Sequence, residues 1–141
     1  VVVIGWGQSE LEDVLARAAA EQDRVTVPEP SPEKGYFYRS DHFNLAKKGV
    51  PVLYAESGVD DRARGADWGR ARSREYLREH YHKPSDEYDP DWDLAGALED
   101  MALYREIGRE LAAGGAFPRW RAGSEFRAIR ETSARRREAR P

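Results

Sequence analysis

No cysteine occurs among the 141 residues, so the chain can hold neither a disulfide framework nor a thiolate zinc site, and that absence fits any redox compartment. Methionine occurs once, at Met101, and histidine three times, at His42, His80 and His82, so a site that needs imidazole has few residues to draw on. No apolar run approaches the roughly 18 to 20 residues that a membrane-crossing helix needs, and no membrane segment is predicted. Charge is nearly balanced at −3, which neither demands nor forbids an anionic partner. An initiator methionine is missing too. Val1 already opens the apolar run "VVVIGWG", with no charged leader and no cleavage site before it, so this is not a signal peptide. A strand of the buried type at residue 1 carries the expectation that further polypeptide of the same domain precedes it. No internal repeat is found.

What is present suffices for a folded domain. Hydrophobic residues make up 40% and aromatics 11%, enough for a core, while 35% charged residues give a well-solvated surface. "VVVI" is β-branched and apolar on both faces, as a strand buried on both sides of a sheet would be. Ser9 and Glu12 form a capping box before Leu11, Val14, Leu15 and Ala18, which predicts an amphipathic helix over 10–22. "RVTV" (24–27) reads as a strand, and "PEPSPEKG" (28–35), with three prolines and a glycine, as loop. A short helix capped by Ser40 or Asp41 should hold Phe43, Leu45 and Ala46, stop at Gly49, and lead through Pro51 into a strand over 52–54. Residues 57–71 are polar and glycine-rich and read as a long loop, followed by a short helix that Pro84 ends or kinks. Asp91 or Asp93 should cap the longest helix, with Leu94, Ala97, Leu98, Met101, Tyr104, Ile107 and Leu111 as its apolar stripe and Gly114 and Gly115 as its stop. This alternation predicts an α/β fold: a mostly parallel sheet flanked by helices, with sites at the carboxyl ends of its strands. From Arg119 onward eight arginines stand against three glutamates, a local charge of +5 that leaves −8 on residues 1–118. The reading is therefore of one domain portion, 1–118, followed by an Arg-rich C-terminal segment, 119–141. Glutamates dilute that segment and the body is acidic, so a solvated helix or docking segment is expected there and nucleic acid is not.

Two clusters could carry chemistry. In "EHYHKPSDEYDP" (79–90), His82 sits in a turn ahead of a long helix, where an imidazole can be held as a metal ligand, and Asp86 could orient its other ring nitrogen. An H-x-H pair is also simply what two exposed histidines in a surface turn look like. In "YFYRSDHF" (36–43), Ser40 and Asp41 could cap a helix or present a hydroxyl and carboxylate to a ligand, and Tyr36 or Tyr38 could donate to a developing oxyanion. Half-buried packing is the plainer role for those tyrosines. The Gly5-x-Gly7 turn lacks the third glycine of a dinucleotide fingerprint.

Taken in order, "YFYRSDHFNLAKKGVPVLYAESG" and "YHKPSDEYDPDWDLAGALEDMALYREIGRELA" resemble the C-terminal part of the M28 family of zinc peptidases. The pattern there is Ser-Asp-His, an apolar residue, a short helix, Gly-Val-Pro and a strand, then an aromatic residue before a histidine with an aspartate four residues later. Ser40, Asp41, His42, Phe43, Gly49, Val50, Pro51, Tyr81, His82 and Asp86 supply it, over roughly residues 35–112. The resemblance implies a zinc-exopeptidase-like fold present only as its C-terminal part. By the same resemblance His82 is the last zinc ligand and Asp86 its supporting carboxylate. Asp41 belongs to the network behind the site, and Ser40 with Tyr36 or Tyr38 lines the substrate carbonyl, whereas His80 matches nothing. The implied function is hydrolysis of peptide bonds from the amino end by a water activated between two zinc ions. The other metal ligands and the glutamate base are expected before Val1, so these residues alone are expected to be inactive and to hold little or no zinc. Expected partners are the peptide substrate, the other half of the domain, and further copies of the fragment through its uncovered sheet edge. For the parent protein a secreted or periplasmic location is expected. A non-catalytic scaffold of the same fold is the alternative.

Overall fold

The computed structural model describes residues 1–114 and 117–139. The chain divides into two units, Val1–Glu56 with Glu99–Pro141, and Ser57–Leu98.

The first unit is organised around β1 (Val2–Ile4). Successive side chains of a strand point to opposite faces, and here both faces are covered. Val3 enters a cluster with Val14, Leu15, Ala18 and Ala19 of α1 (Leu11–Ala20) and with Leu103 and Ile107 of α4 (Ala95–Gly114). Ile4 enters another with Ala46 of α2 (His42–Ala46) and with Phe37, Val52, Trp120 and Phe126. Fully burying a side chain such as Leu15 or Leu103 contributes roughly 1.5–3 kcal/mol, so β1 is fixed from both sides.

The sheet is mixed. β2 (Val27–Pro28) runs parallel to β1, while β3 (Tyr54–Glu56) runs antiparallel, with Val2 opposite Glu56 and Ile4 opposite Tyr54. Among the described residues, then, the mostly parallel sheet expected from the α/β rhythm is replaced by one pairing of each kind. β2 is also shorter and later than "RVTV". The Val27 N–H donates to Val1 O and the Glu29 N–H to Val3 O, and the pairing reaches back to residue 25 only through the Val1 amino group, which donates to Val25 O at 2.8 Å. Pro28 is tolerated inside β2 because the ladder takes its donors from the residues on either side. The proline-rich stretch is not all loop either, since Pro32–Lys34 and Tyr36–Arg39 each form a 3₁₀ turn.

Glu12 reaches back as a capping box requires and does more. Its two oxygens accept the backbone N–H groups of Gly7 (2.9 Å), Gln8 (2.7 Å) and Ser9 (3.1 Å). The Ser9 hydroxyl does not cap α1; it donates to Val52 O at 3.0 Å and ties the turn after β1 to the segment that leads into β3. Gly49 stops α2 as expected, with φ +80°. A Cβ there would lie 2.7 Å from the Arg130 N of α5 (Arg127–Glu138), so no other residue fits.

The stripe expected on α4 is rotated. Leu103 and Ile107 are its buried residues, while Leu98 and Met101 are 63% and 67% exposed. Polar anchors set that rotation. Arg24 pairs with Asp100 at 2.6 Å, Gln22 donates to Glu99 O at 3.1 Å, and the Tyr104 hydroxyl donates to Ala55 O of β3 at 2.6 Å. Gly114 is the last residue of α4; Gly115, expected as part of its stop, lies outside the described residues. The Arg-rich segment packs into this unit through Trp120 and Phe126, and Arg119 and Arg121 pair with Glu10 and Asp13.

In the second unit, residues 65–71 are not loop but the first half of α3 (Gly65–Glu79). Asp61 starts it by accepting the N–H groups of Ala63 (3.0 Å) and Arg64 (2.7 Å). Gly69, one of the glycines that made this stretch read as loop, is required by packing: a Cβ would stand 1.9 Å from Val59 O. Asp93, of the two capping candidates, caps α4, accepting the Ala95 N–H at 3.0 Å.

Candidate functional site

In the first unit the candidate residues sit on one folded ribbon. Gly35, at φ +63°, turns the chain into the 3₁₀ turn Tyr36–Arg39. That turn sends Phe37 inward against Gly5, where no Cβ could be accommodated (2.2 Å to the ring), and leaves its neighbours outward. Tyr36 and Tyr38 are consequently 41% and 50% exposed. Lys34 and Arg39 stand over the Tyr36 ring at 5.9 and 6.0 Å. The Tyr38 hydroxyl donates to Glu125 Oε1 at 2.7 Å, and that bond holds its pKa above the ordinary phenol value.

Ser40 is extended, and its carbonyl accepts the Phe43 N–H at 3.1 Å. Asp41 occupies the helix-capping position of α2 without a side-chain cap bond and is exposed, so its carboxylate faces water. His42 lies between the Phe37 and Tyr54 rings, at 4.7 and 5.1 Å between centroids. Its Nε2 is buried with no hydrogen-bond partner among the described residues. Burial pushes its pKa below 6.5, with the neighbouring Asp41 opposing the shift. Sequence reading gave His42 no role of its own. Glu29 also escaped it: one carboxylate oxygen accepts the Gly5 N–H at 2.8 Å, while the other is buried without a described partner.

His82 and Asp86 belong to the second unit. His82 is exposed, at φ +56°, with its ring stacked on Tyr81 at 3.9 Å and 18°. Asp86 does not support it in the expected way, because the carboxylate accepts the Tyr76 hydroxyl at 3.0 Å and thereby raises that phenol's pKa. It is His80, read as mere surface, that faces the same concavity of about 470 Å³ as Tyr76, Asp86 and Trp92, with its Nδ1 2.9 Å from Ser85 O. The backbone N–H of Tyr81 closes on Tyr76 O at 2.9 Å, which fixes the turn that carries both histidines.

Tyr36, Tyr38, Ser40 and Asp41 thus share one ribbon, and His82 and Asp86 share another unit's turn. Among the described residues no group of three or more histidine, aspartate or glutamate side chains is gathered as a metal ion would need. A structural or catalytic zinc takes three or four protein ligands, so the donor set does not by itself fit a zinc centre.

Compared with known proteins, residues 3–105 match the family model for peptidase family M28. No curated protein and no solved structure matches.

Proposed function

The chain belongs to peptidase family M28, and from that premise we propose that it is part of a zinc-dependent aminopeptidase, hydrolysing peptide bonds from the free amino end. Membership implies a zinc-exopeptidase-like α/β fold and a metal-dependent hydrolase. The observation that supports this reading is the span of the match: residues 3–105 take in both "YFYRSDHF" and "YHKPSDEYD". His82 is then the one metal ligand these residues contribute, and the remaining ligands come from polypeptide outside these 141 residues. Alone, residues 1–141 are inactive.

The roles on the first unit's ribbon follow from donor chemistry. Ser40 and one of the two phenols, Tyr36 or Tyr38, offer O–H groups to a peptide carbonyl, whose oxygen gains negative charge as the bond is attacked. Asp41, a carboxylate at the start of α2, belongs to the hydrogen-bond network behind them. The second reading is a non-catalytic binding domain of the same fold, which the family match over residues 3–105 would cover equally.

The deciding experiment uses the complete gene product. We expect bound zinc, release of single residues from peptides with a free amino end, no cleavage once that end is acetylated, and loss of both zinc and activity in His82→Ala. Equal cleavage of acetylated peptides would end the aminopeptidase assignment. A purified protein with neither metal nor hydrolysis would leave the binding domain as the function.

A further inference from the structure

The polypeptide after residue 105 lies beyond the family match, yet it is built into the ribbon that carries the candidate residues. Phe126 packs its ring against Phe37, Phe43 and Trp120, at 5.9, 6.1 and 5.0 Å between centroids. Trp120 donates its indole N–H to Gly49 O at 3.0 Å, and both Trp120 and Phe126 are buried. Glu125 lies between these two buried anchors, next to Phe126, and its carboxylate accepts the Tyr38 hydroxyl at 2.7 Å. The Tyr38 ring itself is held edge-on by Phe37 and Phe43, at 5.5 and 5.4 Å.

A phenol has one hydrogen and two acceptor lone pairs. With its hydrogen committed to Glu125, the Tyr38 oxygen has only acceptor capacity left to offer outward. We propose that Glu125 is a positioning residue for Tyr38: by taking the phenol's one hydrogen it makes Tyr38 an acceptor for an N–H or the terminal ammonium of a peptide, an inference that rests on Tyr38 lining the peptide site. The donor to the peptide carbonyl is then Tyr36 or Ser40. Lys34 and Arg39 stand at the Tyr36 ring and Lys47 5.0 Å from the Phe43 ring centroid, Asp41 carries a carboxylate on the same ribbon, and the anionic group bonded to the Tyr38 hydroxyl is Glu125.

The test uses the full protein with tyrosines labelled at Cζ, followed by NMR, and as probe the reduced-bond dipeptide amide Ala-ψ[CH₂NH]-Ala-NH₂, which keeps the free amino end but has no peptide bond after its first residue to cleave. Tyr38→Phe assigns the Tyr38 signal. Without peptide, Glu125→Ala should lower the pH at which Tyr38 titrates, towards the ordinary phenol value, while Glu125→Gln keeps an acceptor for the hydrogen and preserves the ring's position. The amide should shift the Tyr38 signal, and Glu125→Ala should weaken its binding roughly two- to fivefold, the scale of one solvent-exposed hydrogen bond. Glu125→Gln should bind nearly as the unaltered protein does. A Tyr38 titration unmoved by Glu125→Ala would show that the contact is not made, and a Tyr38 signal indifferent to the amide would show that the phenol meets no peptide; either overturns the inference. Binding that persists in a protein without hydrolysis would leave it standing while the peptidase assignment fell.

Discussion

His42 shows how much a single side chain can contribute without touching a ligand. Its imidazole is wedged between Phe37 and Tyr54 with a buried, unpartnered nitrogen, and burial depresses its pKa against the pull of Asp41. A proton added there would be poorly solvated. In the unfolded chain the same histidine takes up its proton near the ordinary value of 6.5. Below that pH the unfolded state therefore holds more protons than the folded one, and stability falls as the pH drops towards and through the depressed folded value. We expect the urea midpoint of the protein to decline between pH 7 and pH 5, and His42→Phe, which fills the aromatic slot with nothing to protonate, to flatten that decline. Parallel declines in the two proteins would dissociate His42 from the acid sensitivity. Glu12 is the opposite case at the same scale: its charge is satisfied by three backbone N–H groups, and its role was legible because the Ser9–Glu12 spacing announced it.

Elements were legible where local signals and tertiary demands agree. Ser9–Glu12 marked the start of α1, Gly49 the stop of α2, and the two-faced apolar run "VVVI" became a strand covered on both sides. They were misread where a distant contact decides. Glycines at 65 and 69 signalled loop, but Gly69 is there so that the chain can pass beneath Val59 O, and the helix runs through it. Periodicity found the apolar residues of α4 but not which of them face inward. Leu103 was outside the expected stripe and Met101 inside it, because Arg24, Gln22 and Tyr104 pin the helix at a rotation that no local pattern encodes. Their energetics should separate accordingly. Leu103→Ala, at a site 1% exposed, should cost about 2–5 kcal/mol by chemical denaturation, whereas Met101→Ala, at 67% exposure, should stay within about 0.5 kcal/mol of the unaltered protein. Equal costs would put the helix at the rotation that periodicity alone suggested.

On the scale of the whole chain, the motifs were readable as residue types in order, and the match over residues 3–105 bears that out. Their meeting in space was not, because a metal centre is a gathering of side chains from several elements and spacing along one strand or turn says nothing of the others. Tyr36, Tyr38, Ser40 and Asp41 fall in Val1–Glu56, while His82 and Asp86 fall in Ser57–Leu98. The two units also differ in what holds them. The first has two buried clusters around β1; in the second, from Ser57 to Leu98, no residue is buried, and α3 is maintained by its own hydrogen bonds, the Asp61 start and surface pairs such as Arg64 with Asp61. Exposed ion pairs contribute about 0–1 kcal/mol each, and helices without a packed apolar face open at low free-energy cost. Amide hydrogen exchange should therefore be slowest in β1, in α1 and around Leu103 and Ile107, and fastest, among the helices, in α3. Protection of α3 as long as that of α1 would mean that its exposed face, including Tyr76 and Leu77, is covered in solution by another surface, and size-exclusion measurements at several concentrations would then tell whether that surface is a second copy of the chain.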